Sequence, residues 1–167
     1  MTEERKSENA LRKPRVDVVI PTYKPGKKFS RLLKMLEKQT YPVGKIIVMN
    51  TEKAFWNEKG FEGIGNLHVH HLTKAEFDHG ATRDAGIGHS DADVCVCMTH
   101  DALPADTNLI KALTDALFSG DDIAVAYARQ LPATDCNIIE CHTRDFNYPD
   151  KSRVKRLSDL DTLGIKT

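Results

Sequence analysis

Short apolar runs closed by polar residues recur along the chain, and their spacing predicts an alternation of strands and helices. Residues 16–20 (VDVVI) read as a first strand, ended by turn formers at 21–26 (PTYKPG). Residues 30–39 bring Leu32, Leu33, Met35 and Leu36 together at helical spacing. Tyr41-Pro42 closes that helix, because proline disfavours the α conformation in the residue before it. Residues 45–49 (KIIVM) form a second strand that runs into Asn50-Thr51-Glu52. A strand, a helix and a strand in that order make a right-handed crossover, so the two strands are expected to be parallel. Residues 53–66, with Gly60, Gly63 and Gly65, predict an irregular loop. Residues 67–72 alternate as a third strand that puts His68 and His70 on one face, as half-exposed strand histidines or as a metal-binding pair.

The second half of the pattern continues in kind. Asp78 caps a short helix from residue 80 to about 88, whose small residues permit close approach to a sheet or ligand. Residues 94–98 (VCVCM) are five apolar residues in a row, the signature of a central strand buried on both faces. Asp106 is expected to cap a helix over 107–118, with Leu109, Ile110, Leu113, Ala116 and Leu117 on its apolar face and Gly120 ending it. A further buried strand is predicted at 123–128, a loop at 129–133, a helix within 135–146 and a short helix at 158–163 closed by Gly164. The sum is one α/β domain with a mostly parallel sheet, over residues 15–167, preceded by a solvated arm at 1–14.

Composition narrows the function. The 167 residues suffice for one real core. Lys+Arg and Asp+Glu are 24 each, and this balance argues against a nucleic-acid partner or a bulk membrane binder. The apolar runs are too short to span a bilayer, and the polar N-terminus has no signal-peptide core. A cytoplasmic chain follows from that reading, with the inner face of the membrane as a second station, and its four cysteines are expected as free thiols.

The candidate chemistry sits where strands end. Thr22-Tyr23, Asn50 with Glu52, the start of the Asp78/Arg83 helix, and Thr99-His100-Asp101 all follow predicted strands. In an open α/β sheet those ends share one edge, the edge that binds ligands. Together they offer an aromatic face, an amide, a cation and a carboxylate able to hold Mg²⁺ or Mn²⁺, a set suited to a nucleoside diphosphate. Asp101 can instead cap a turn, and Arg83 can instead pair with Asp84 or Asp78. No glycine-rich phosphate loop follows the first strand, so Walker-type and dinucleotide binding are disfavoured. Cys95 and Cys97 fit small core residues. A zinc site built from them with Cys136, Cys141 and His142 has no familiar spacing, and is kept as a rival reading.

Three segments in order carry a resemblance. Residues 16–23 (VDVVIPTY), 77–86 (FDHGATRDAG) and 98–104 (MTHDALP) resemble family 2 glycosyltransferases, inverting enzymes of GT-A fold, in their rhamnosyltransferase-like subgroup. Residues 129–132 (RQLP), 146–149 (FNYP) and 152–155 (SRVK) are similar to the same subgroup. The resemblance implies a Rossmann-like GT-A sheet that binds a nucleotide-diphosphate sugar such as dTDP-rhamnose. It implies that Thr22 and Tyr23 line the base pocket and that Asn50 stands where the family has a base-reading aspartate. Asp101 matches the metal-binding second aspartate of the Asp-x-Asp motif, and Thr99 replaces the first. Glu52, Asp78, Arg83 and His100 join the donor contacts. The acceptor, a glycan or a lipid-linked one, and the general base belong to a half that no residue here matches. The chain therefore reads as cut in mid-domain, with a dimer through exposed core surface as one consequence. The rival from another class is a non-catalytic α/β module that binds a nucleotide or a protein.

Overall fold

A computed structural model describes residues 12–132 and 136–159. The chain divides into two compact units, Met1–Ala126 and Tyr127–Thr167. The first contains a four-stranded sheet of order β3-β2-β1-β4 in which every pairing is parallel, the Rossmann-like α/β arrangement expected from the sequence.

Strand β1 (Val16–Tyr23) is central and buried from Val16 to Thr22. It outruns the expected strand by three residues, because the 21–23 backbone stays in register with β2, pairing Thr22 with Asn50 and Tyr23 with Thr51. The helix α1 (Lys27–Glu37) starts right after Gly26 and buries Phe29, Leu32, Leu33 and Leu36. Each fully buried side chain of that size contributes about 1.5–3 kcal/mol. Strand β2 (Ile46–Thr51) is buried throughout, and β3 (Leu67–Leu72) lies at one edge. Short 3₁₀ turns at Lys53–Phe55 and Glu58–Phe61 fill the irregular stretch between them.

Cross-strand partners share a face, which sorts the core into two layers. Val16, Val18, Ile20, Ile46 and Val48 pack with α1 and Ile110 on one side. Val19, Ile47 and Met49 form the other, smaller layer with Leu72 and Cys95. The helix α2 (His79–Gly88) lies on that second face. It comes so close that a Cβ on Gly86 would stand 2.5 Å from Val19 Cγ1 and 3.2 Å from Met49 Cγ.

Strand β4 (Val94–Cys97) departs from expectation. It is an edge strand in the described sheet, with Val94, Cys95 and Val96 half-buried and Cys97 exposed. Residues 123–128 form no strand, and Val125 and Tyr127 are 77% and 66% exposed. Apolar, β-prone sequence becomes a strand only where a partner supplies the other half of the ladder, and nothing described pairs with this stretch.

The helix α3 (Leu109–Leu117) starts later than expected, and Asp106 is not its cap. Asp106 Oδ1 accepts the Asn108 N–H at 2.7 Å, upstream of the helix, while Gln39 Oε1, at the end of α1, accepts the Ile110 N–H at 3.1 Å. Ile110 and Thr114 are its buried residues, and Ala116 is exposed.

In the second unit α4 (Ile138–Asn147) is capped by Asn137 Oδ1, which accepts the Glu140 N–H at 2.9 Å. Cys136 and Cys141 form a disulfide, which corrects the expectation of four free thiols. A 3₁₀ turn at Leu157–Asp159 stands where the last helix was expected to begin, and the rest of that helix lies outside the described residues. Residues 1–11 of the expected arm lie outside them as well. The end of the arm is tied down: Arg12 pairs with Asp93 at 2.9 Å, and the Pro14 carbonyl accepts from Tyr41 OH at 2.6 Å.

Candidate functional site

The carboxyl ends of β1 and β2 hold three buried polar atoms without a hydrogen-bond partner among the described residues: Thr22 Oγ1, Asn50 Oδ1 and Thr51 Oγ1. Native folds pair nearly all such atoms, and each orphan costs about 1–3 kcal/mol. All three lie at adjacent strand exits. Thr22 and Asn50 are register partners and share a sheet face. Asn50 is wholly buried, and its Nδ2 donates to the Glu52 carbonyl at 3.2 Å and meets His71 Nδ1 at 3.0 Å.

Tyr23 sits at the rim, 40% exposed, with its ring edge-on to Phe55 at 5.4 Å. Lys24 turns the chain with φ of +51° and holds its ammonium 5.1 Å from the Tyr23 ring centre and 4.5 Å from that of Phe55. A cation over two aromatic faces steadies both. Glu52 has φ of +65°, rare outside glycine. Its N–H donates to the Leu72 carbonyl at 2.8 Å, and its Oε1 accepts the Lys74 N–H at 2.6 Å. The Glu52 carboxylate is thus committed to fastening the β2 exit to the loop after β3.

Asp78 is the α2 cap foreseen from the sequence. Its Oδ1 accepts the N–H groups of Gly80 at 2.9 Å and Ala81 at 2.8 Å. Those bonds, that of Ala81 first, hold its carboxyl below the usual 3.8. Arg83 pairs with neither Asp84 nor Asp78 in the described structure, and its Nη1 donates to the His79 carbonyl at 2.6 Å. Its charge is felt at the Cys97 thiol. Although the residue is exposed overall, partial desolvation of its thiol raises it above the usual value, and Arg83 pulls it back.

Beyond β4, the Met98 N–H still bonds to the Val19 carbonyl at 3.0 Å. The Ala102 N–H then donates to the Thr99 carbonyl at 3.1 Å, so Thr99, His100 and Asp101 form a turn after β4. Thr99 and Asp101 are exposed and His100 is half-buried. The bond that closes this turn is backbone to backbone, so the Asp101 side chain does not cap it. No group of three His, Cys, Asp or Glu converges among the described residues. A lone exposed carboxylate suits Mg²⁺ or Mn²⁺ in one mode, in which ligand phosphates and water complete the shell.

The zinc reading is corrected. Cys136 and Cys141 are spent in their disulfide, and Cys95 and Cys97 are free. His70 stacks on His89 with ring centres 3.7 Å apart, and no metal cluster of three ligands includes His68 or His70 among the described residues. A concavity of about 420 Å³ lies at the opposite, amino edge of the sheet, beside Asp17, Tyr41, Lys45 and Asp91. There Asp17 accepts from the Lys45 N–H and the Ser90 hydroxyl, and Lys45 pairs with Asp91 at 2.9 Å.

Sequence reasoning picked out Thr22, Tyr23 and Asn50 from their place after apolar runs. It missed Thr51, Lys24, Phe55 and His71. Thr51 lies between two residues that were singled out, and His71 is the second of a His-His pair on β3. Neither position carries a composition signal.

Comparison with known proteins follows the same lines. The family model "Glycosyl transferase family 2" matches residues 17–163. The chain is 35% identical over 154 residues to the O-antigen chain rhamnosyltransferase RfbN of Salmonella typhimurium (strain LT2), covering 92% of this chain and 49% of that protein. It is 27% identical over 156 residues to the O-antigen chain rhamnosyltransferase WbaN of Salmonella anatum, with the same coverage. The chain thus spans about half the length of the curated relatives it matches. Among solved structures, S. aureus TarS superposes with a TM-score of 0.48 at 20% identity, over 63% of this chain and 19% of that one. No helix among the described residues is long and apolar enough to cross a membrane.

Proposed function

The chain belongs to glycosyl transferase family 2, and on that premise we propose that it is the donor-binding part of an inverting GT-A glycosyltransferase. The observation that carries this reading is the trio of buried, unpartnered polar atoms on Thr22, Asn50 and Thr51. They await hydrogen bonds at the sheet edge where α/β folds hold nucleotides. The donor is a nucleotide-diphosphate sugar, and the rhamnosyltransferase relatives favour dTDP-rhamnose. The acceptor is a glycan or a lipid-linked glycan, met in the cytoplasm at the inner face of the membrane. Residues 15–167 form the donor-binding part, and a dimer is part of the same proposal.

Thr22 and Tyr23 line the base pocket, and Asn50 reads the base. Asp78, Arg83, Thr99 and His100 surround the diphosphate and sugar, with Arg83 as the cation. Glu52 contributes by holding the rim. Asp101 would hold Mg²⁺ or Mn²⁺, which when bound neutralises charge gathering on the leaving diphosphate. The acceptor oxygen attacks the anomeric carbon from the side opposite the nucleotide. The new carbon–oxygen bond forms as the bond to the diphosphate breaks, which inverts that carbon. A general base from outside this chain takes the acceptor proton, a contribution of about 10²–10⁴-fold.

The test is a titration of dTDP-rhamnose with and without Mn²⁺, read by fluorescence of Trp56, the chain's one tryptophan. A metal-dependent response is expected. Asp101→Asn should keep the nucleotide response and lose its dependence on Mn²⁺. A wild-type response indifferent to metal, or an Asp101→Asn chain with full metal dependence, overturns the role given to Asp101.

A further inference from the structure

Asn50 is held by one end of its amide. Its Nδ2 donates to the Glu52 carbonyl at 3.2 Å and lies 3.0 Å from His71 Nδ1. A backbone carbonyl has no proton to give, so the Glu52 contact sets the NH₂ group on that side. Reversing the amide would press two oxygens together. With Nδ2 as the donor, His71 Nδ1 accepts, and the imidazole proton resides on Nε2. The other end of the amide, Oδ1, is buried and has no partner among the described residues.

We propose that His71 is a positioning residue that locks the Asn50 amide with its carbonyl oxygen presented to the donor nucleotide. The inference rests on the donor-site reading above. An amide free to turn offers NH₂ as readily as oxygen. Pinned from the β3 side, it offers the acceptor alone. Thr22 Oγ1, the register partner of Asn50 and likewise unpartnered, adds a hydroxyl on the same face. A base edge that places a ring N–H beside a carbonyl satisfies both atoms. Uracil and thymine carry that edge. Cytosine puts a bare ring nitrogen there, an acceptor facing an acceptor, and is rejected for the unpaired groups it leaves. His71 lies on an edge strand and is exposed, with its ring edge-on to Trp56 at 6.3 Å, so its loss does not open the core.

The test uses calorimetric titration of the full chain with UDP, dTDP and CDP. His71→Ala should weaken UDP and dTDP binding about 5- to 30-fold and narrow their lead over CDP. His71→Asn, whose side-chain oxygen can stand in for Nδ1, should restore both affinity and preference. Melting temperatures should change little across the set. In the ¹⁵N spectrum, His71 should show the Nε2–H tautomer without any ligand. Wild-type affinity and preference in His71→Ala, or an Nδ1–H tautomer, overturns the inference. If Asn50→Ala loses UDP while His71→Ala keeps it, the lock fails and the donor site stands. If none of the three nucleotides binds the wild-type chain, the donor-site reading falls and takes the lock with it.

Discussion

Thr22 is the residue where folding and binding pull apart most cleanly. Its hydroxyl is buried and pairs with no described group, so the fold loses stability by carrying it. Thr22→Val keeps the shape and removes the polar atom. It should raise unfolding stability by about 1 kcal/mol in urea and weaken dTDP binding in the same sample. A loss of stability would show that the hydroxyl serves the fold. The same opposition made part of the candidate site legible in the sequence. A polar residue shortly after a run such as VDVVI stands out, which is how Thr22, Tyr23 and Asn50 were proposed. Lys24 and Phe55 act through ring contacts made only after the chain has turned, with φ of +51° at Lys24. A turn of that hand at lysine has no composition mark. Asp101 was singled out by position; its carboxylate is exposed in the turn after β4, and its role toward a cation is part of the proposal.

Among the elements, α2 is the one whose placement depends on a single atom's absence. Gly86 lets the helix lie against Val19 and Met49, and a Cβ there meets the Val19 side chain at 2.5 Å. Gly86→Ala should cost about 1–3 kcal/mol by chemical denaturation, although alanine is the better helix former. Both ends of α2 were legible because its signals are local: an aspartate before small residues, then a break. β3 was legible for the same reason, with bounds that match its alternation. The start of α3 was not, because the group that accepts its Ile110 N–H is Gln39, 71 residues away in sequence. The strand at β4 was foreseen but placed centrally rather than at an edge, and residues 123–128 were expected as a strand and form none. Periodicity reports what a strand needs, and the sheet order decides whether a neighbour supplies it.

The sheet unit should be acid-sensitive, in a direction set by His70. His70 is held below its usual 6.5, first by burial and then by His89, His68 and His71 nearby. Such a group stays neutral in the fold while the unfolded chain takes up a proton, so stability falls as pH drops below about 6.5 toward the folded value. The sign is opposite to that of a histidine gaining a carboxylate partner. Asp78, lowered from 3.8, adds a second loss at more acid pH as its cap on α2 is protonated. Melting curves from pH 7.5 to 5 should decline for the wild type and flatten for His70→Gln. An unchanged slope in that variant would assign the decline to other groups. Close by, at the β2 exit, Glu52 keeps a backbone angle that costs about 1–3 kcal/mol in a residue other than glycine, and bonds to Leu72 and Lys74 keep it there. A corner clamped on two sides has little freedom left to surrender. On the donor-site proposal, a nucleotide arriving at it would forfeit less entropy in arranging its host, so even modest contacts would translate efficiently into affinity.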